Sequence, residues 1–163
     1  MKDENNYALI DSQNLNLGIQ RLGWKLDFRK FRIYLKEKYQ VSKAYLFIGF
    51  VPENKNLYKS LQEYGYLLIF KPILKTSSGK IKGNCDAELV LQAMIDINSY
   101  DKAVIVTSDG DFHCLVEYLY KLNKLHLVLS PSNERCSVLL RKAGREKVVY
   151  MDNLRNKLEY RNR

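Results

Sequence analysis

Tyr7-Ala8-Leu9-Ile10 is an apolar run that closes on a carboxylate, Asp11, and Ala103-Val104-Ile105-Val106 repeats the pattern before reaching Asp109. Both runs are short and lack polar alternation, the mark of a strand buried on both faces of a sheet. Carboxylates held at strand ends and brought together by the fold make an all-oxygen site suited to Mg²⁺ or Mn²⁺. Asp86 and Asp111 are the other acids placed to join them.

Working outward, further short apolar runs at 44–50, 66–70, 125–129 and 148–150 read as strands. Helix-period segments near 28–39, 54–64, 87–98, 112–122 and 135–142 separate them. Strands alternating with helices predict an α/β domain, a three-layer sandwich around a mostly parallel sheet. In such sheets ligands bind beyond the carboxyl ends of the strands, where connections diverge to opposite faces. Asp11 and Asp109 can share one ion only if the first and fourth strands are neighbours. The strand order is therefore expected to be 3-2-1-4-5, with the sixth run at an edge.

Two helices have readable faces. Phe112, Leu115, Val116, Leu119 and Leu122 follow the spacing of one buried stripe. Val90, Ala93 and Ile97 follow Asp86 on what reads as a second stripe, which aims Asp86 at the sheet edge and ranks it above Glu88. The segment 71–83 holds Pro72, Ser77, Ser78, Gly79 and Gly83 without periodicity, and reads as a long functional loop.

The 163 residues suffice for one domain, 1–163, ending in a basic helix or tail at about 152–163. Hydrophobic residues are 46% and charged residues 28%, ordinary for a globular chain. No apolar stretch approaches the roughly 18 residues of a membrane span, and the polar start Met1-Lys2-Asp3-Glu4-Asn5-Asn6 lacks the apolar core of a secretion signal. A cytoplasmic location is expected. Cys85, Cys114 and Cys136 are odd in number and far apart, which argues against a zinc site or disulfides and for reduced thiols in small core spaces. With only His113 and His126 available, a His-rich metal centre is hard to build.

The net charge of +9 favours a polyanionic partner. Lys71, Lys75, Lys80 and Lys82 run up to Asp86, and Arg141, Lys142, Arg145, Lys147, Arg155, Lys157, Arg161 and Arg163 crowd the end of the chain. Some of this last group reads as a solvated helix face.

Each acid also has a local use. Asp11 and Asp111 are placed to cap following helices, Asp109 to turn with Gly110, and Asp86 to favour a helix N-terminus. Their joint placement on converging elements outweighs these separate explanations. Ionised carboxylates within roughly 4–6 Å repel and raise one another's pKa. A divalent cation removes that conflict and supplies the chemistry of phosphodiester hydrolysis. The calcium-loop, Gly-rich nucleotide-binding and nucleophile-elbow patterns are absent.

Leu9-Ile10-Asp11-Ser12-Gln13-Asn14-Leu15, Lys82-Gly83-Asn84-Cys85-Asp86-Ala87-Glu88-Leu89-Val90 and Thr107-Ser108-Asp109-Gly110-Asp111-Phe112 together resemble the NYN domain family, the LabA-like branch of the PIN-like nucleases, over nearly the full length. Leu139-Leu140-Arg141-Lys142-Ala143 also resembles the family's closing helix. The resemblance implies a Rossmann-like sheet whose acids bind Mg²⁺ or Mn²⁺ and cut RNA. It makes Asp11, Asp86, Asp109 and Asp111 the metal-site and catalytic acids. Asn14 would orient a ligand or phosphate, Lys82 would contact phosphate, and Ser108 would join them in binding substrate. Ser108 stands where relatives commonly carry Gly, Gln92 where some have another acid, and Gly144 where many place one.

The expected activity is that of a metal-dependent ribonuclease, an endonuclease acting on single-stranded or structured RNA. The alternatives are an RNA-binding regulatory module without catalysis and a metal-dependent nucleotide phosphohydrolase. A homodimer remains open. Tyr45, Tyr58, Tyr64 and Tyr66 could stack on bases but read more simply as packing residues.

Overall fold

Six parallel strands form one sheet with helices on both faces in the computed structural model, which describes residues 3–72, 74, 75, 81, 82 and 85–162; the side chains at 74, 75, 81 and 82 fall outside that description. In chain order the elements are β1 (Asn6–Asp11), α1 (Ser12–Arg21), α2 (Phe28–Tyr39), β2 (Val41–Phe50), α3 (Lys55–Glu63) and β3 (Tyr66–Pro72). A two-residue pair follows, β4 (Leu74–Lys75) and β5 (Ile81–Lys82). Then come α4 (Asp86–Ile95), β6 (Ala103–Val106), α5 (His113–Lys121), β7 (Leu125–Ser130), α6 (Val138–Gly144), β8 (Val148–Tyr150) and α7 (Arg155–Leu158).

The sheet order is β3-β2-β1-β6-β7-β8. Counted over the sheet strands alone this is 3-2-1-4-5-6, the expected order with the last strand at the β7 edge. β1 sits between β2 and β6, with Asp11 beside Phe47 and Ile10 beside Val106. Alternation along the strands builds two cores. Ala8, Ile10, Leu46, Val104 and Val106 pack against Leu15 and Ile19 of α1 and Phe31 and Leu35 of α2. Leu9, Tyr45, Phe47 and Ile105 pack against Leu89 of α4, Val116 and Leu119 of α5 and Leu140 of α6.

That division locates the point where ligands gather. The chain leaves β1 for the first face through α1 and leaves β6 for the second face through α5, so a crevice opens between their carboxyl ends.

Several elements depart from expectation. The helix α1 follows Asp11 directly, as the capping reading of that residue expects, although its mixture of Asn, Gln and Gly blurs the apolar period. A two-stranded antiparallel ribbon, β4 with β5, interrupts the segment expected to be loop throughout. On α4 the buried positions are Leu89 and Ala93, with Val90 half-buried, so the stripe is turned slightly from the expected one. Leu122, just past α5, is exposed at the surface. Of the three free cysteines, Cys136 fills core space as expected, Cys85 is half-buried, and Cys114 lies exposed. Among the described residues no helix is long and apolar enough to cross a membrane.

Candidate metal centre

Asp11, Asp86 and Asp109 each offer a carboxylate oxygen, and these oxygens lie within 4.8 Å of one another. They come from three separate stretches: the last residue of β1, the first residue of α4, and the turn after β6. All three are half-buried at the carboxyl edge of the sheet. An all-carboxylate set of this kind suits a hard divalent cation.

Asp11 serves two masters, its helix and its neighbours. It caps α1 by accepting a hydrogen bond from the Asn14 N–H at 3.4 Å, while its Oδ2 accepts one from the Thr107 hydroxyl at 3.2 Å. Burial pushes its carboxyl up to about 6, with Asp86 and Asp109 adding repulsion, against the lowering pull of those two hydrogen bonds. A group so placed gains when a cation replaces the proton.

Thr107, fully buried, links the two strand ends. Its hydroxyl donates to Asp11 and accepts from the Asp109 N–H at 3.1 Å. Asp109 in turn accepts from the Asp111 N–H at 2.9 Å and caps the short 3-10 turn Gly110–Phe112. The cap therefore comes from Asp109, and Asp111 lies inside the turn. Asn14 holds the same loop from the other side: its Oδ1 accepts from the Ser108 N–H at 2.9 Å and the Ser108 hydroxyl at 3.0 Å. Ser108 also accepts a backbone hydrogen bond from Ser137, at 3.1 Å, which ties the loop to the start of α6. At Gly110 an added Cβ would stand 2.2 Å from the Ser137 hydroxyl oxygen, so the closeness of this approach demands glycine.

The acids open into a cleft of about 660 Å³ between α1 and α3. Its lining runs from Asp11, Asp86 and Asp109 past Asn14, Phe47 and Gly49 to Leu26 and Phe28.

Asp111 does not belong to the gathered triad; it is exposed on the rim beside Asp109. Asn14 and Ser108 are joined to each other, and Asn14 lines the cleft beside the acids. Lys82 closes the short ribbon, and its side chain, like those of Lys75 and Lys80, lies outside the described residues. Glu88 takes no part in the triad and pairs with Lys71 at 3.7 Å. Tyr45, Tyr58 and Tyr66 are buried, as the packing reading requires. Several of the C-terminal cations are engaged locally: Arg145 and Lys147 lie over Tyr120, Arg141 over Tyr150, and Arg155 pairs with Glu159. Thr107 was visible in the sequence only as a motif member; its bridging role is a tertiary contact with no local signal.

A family model described as the NYN domain matches residues 7–150. The chain is 24% identical over 160 residues to the low amplitude and bright protein LabA of Synechococcus elongatus, a match covering 92% of this chain and 85% of that protein. A crystal structure of a protein of unknown function from Vibrio parahaemolyticus superposes with a TM-score of 0.78, covering 97% of this chain and 98% of that one at 22% identity. The structural likeness supports the three-layer α/β fold.

Proposed function

The chain belongs to the NYN domain family, and from that premise we propose that it is a metal-dependent ribonuclease, an endonuclease that hydrolyses RNA phosphodiester bonds. One observation carries the reading: three carboxylates, distant in sequence, meet at the carboxyl edge of the sheet. Asp11, Asp86 and Asp109 would hold Mg²⁺ or Mn²⁺. When bound, the cation neutralises the acids and polarises a phosphoryl oxygen.

The chain's own groups do the positioning. Thr107 orients the Asp11 carboxylate while the Asn14–Ser108 pair holds the loop that carries Asp109. Such supporting contacts keep ligand oxygens aimed inward. Burial raises the Asp11 carboxyl to about 6, so it is ionised at neutral pH and would be available to hold the cation. Asp111 extends the acidic set toward solvent, and Lys82 supplies a phosphate contact. The net charge of +9 draws the polyanion to the site.

The direct test incubates total RNA with wild type and Asp11→Asn, with and without Mn²⁺, and maps new ends. New ends that require both the metal and Asp11 are expected. Tight RNA binding without any cleavage by wild type would instead identify a binding module.

A further inference from the structure

The cleft that begins at the acids continues between two helices whose facing stripes are alike. On α1, Gln13, Asn16 and Gln20 line it with the spacing of one helix face, and Leu17 lies among them, 40% exposed. Opposite, Asn54 just before α3 and Leu57 within it follow the same spacing, Leu57 being 47% exposed. None of these four amide side chains makes a hydrogen bond within the protein among the described residues.

The charge of the described lining favours one kind of ligand. Apart from the three acids, Lys25 is the one charged side chain among the described residues that line the cleft. Among the described lining residues, a phosphate chain threaded through it would meet three carboxylates and one cation. A nucleobase is uncharged, has apolar faces, and carries donors and acceptors on its edge. Leucines projecting from both walls can cover such faces, and carboxamides can hydrogen-bond such an edge. The volume, about 660 Å³, lies within the 300–1,000 Å³ range of clefts that enclose small organic ligands.

We propose that the groove between α1 and α3 takes up an unpaired nucleobase of the RNA strand, leaving the sugar–phosphate chain outside and its scissile phosphate at the acidic end. This rests on the ribonuclease reading for its substrate. It adds a selection rule: the strand is accepted where a base can leave its stack, and a continuous duplex is refused.

The test uses a short single-stranded RNA with 2′-O-methyl ribose throughout, so that binding is read without cleavage. An abasic unit replaces each nucleotide in turn. Wild type is expected to lose affinity by about tenfold for the abasic unit at one position, the scale of a single base-stacking contact. Leu17→Ala/Leu57→Ala should bind the intact strand about as weakly and ignore the abasic unit, while melting like wild type because both residues are exposed. Should the double variant unfold, Gln20→Ala/Asn54→Ala replaces it with the same expectation. Equal losses in wild type and variant, or wild-type indifference to every abasic position, would overturn the groove. The nuclease reading is judged separately by the total-RNA digest. Abasic sensitivity without cleavage keeps the groove and removes the enzyme, whereas cleavage without abasic sensitivity does the reverse.

Discussion

Asp11 is ill at ease in the metal-free protein, and two consequences are measurable. Its folded pKa, about 6, exceeds the ordinary value of 3.8, so the native state holds a proton that the unfolded chain has already released. Between those values stability falls as pH rises, and above about 6 the full penalty remains. Asp11→Asn removes the charge and should stabilise the metal-free protein at pH 7.5 by on the order of 1–3 kcal/mol. Millimolar Mn²⁺ is expected to raise the melting temperature of wild type and to leave that of the same variant unchanged. Urea melts with and without metal check both; a destabilised variant would show that the carboxylate is not strained. Thr107→Val strips Asp11 Oδ2 and the Asp109 N–H of a shared partner. It should cost about 1–3 kcal/mol of stability and weaken Mn²⁺ binding by about 10-fold or more, read by calorimetric titration.

Among the elements, the turn between β6 and α5 is the most constrained. Gly110→Ala drives a Cβ into the Ser137 hydroxyl, which must swing aside, and brings it to 3.0 Å from Ser137 Cβ, so the acid-bearing turn must also give slightly. The expected loss is about 1–3 kcal/mol, and Ser137→Ala in the same chain should recover part of it in denaturant melts. Absence of recovery would place the strain elsewhere. This constraint was hidden from sequence reading, where Asp109-Gly110-Asp111 signals only a turn. The central strands β1 and β6 were legible because they bury both faces and read as apolar runs, whereas the edge strands β3 and β8 keep apolar runs although Leu67, Phe70 and Val149 are exposed. The helix α1 was legible only through the capping position of Asp11: its cleft-facing stripe is amide-rich, and Gly18 packs tightly, an added Cβ lying 2.5 Å from Pro131. The β4–β5 ribbon escaped because two-residue strands carry no period. Asp11, Asp86 and Asp109 could be read as convergent since each stands at an element's end. The separation of Asp111 from them turns on which acid caps the 3-10 turn, a choice that spacing alone leaves undecided.

At the scale of the whole molecule, charge and acid cluster pull in opposite directions. A net charge of +9 favours a polyanion over the whole surface, while the three gathered carboxylates are a local concentration of negative charge. Binding through several phosphates should weaken steeply with salt, log affinity falling linearly with log salt concentration at about −0.7 per phosphate contacted for single strands. Filter binding with an uncleavable RNA between 50 and 300 mM KCl, conditions of roughly the range over which counterion release is resolved, checks this. A flat response would favour a small-nucleotide substrate. The arrangement of β1 between β2 and β6 also has a bearing on synthesis. Asp11 leaves the ribosome early, yet its cage has no third wall until β6 has emerged and slotted in beside β1. On the ribonuclease reading proposed above, the capacity to cut would arrive only with the second half of the polypeptide, and the nascent chain would spare the message that encodes it.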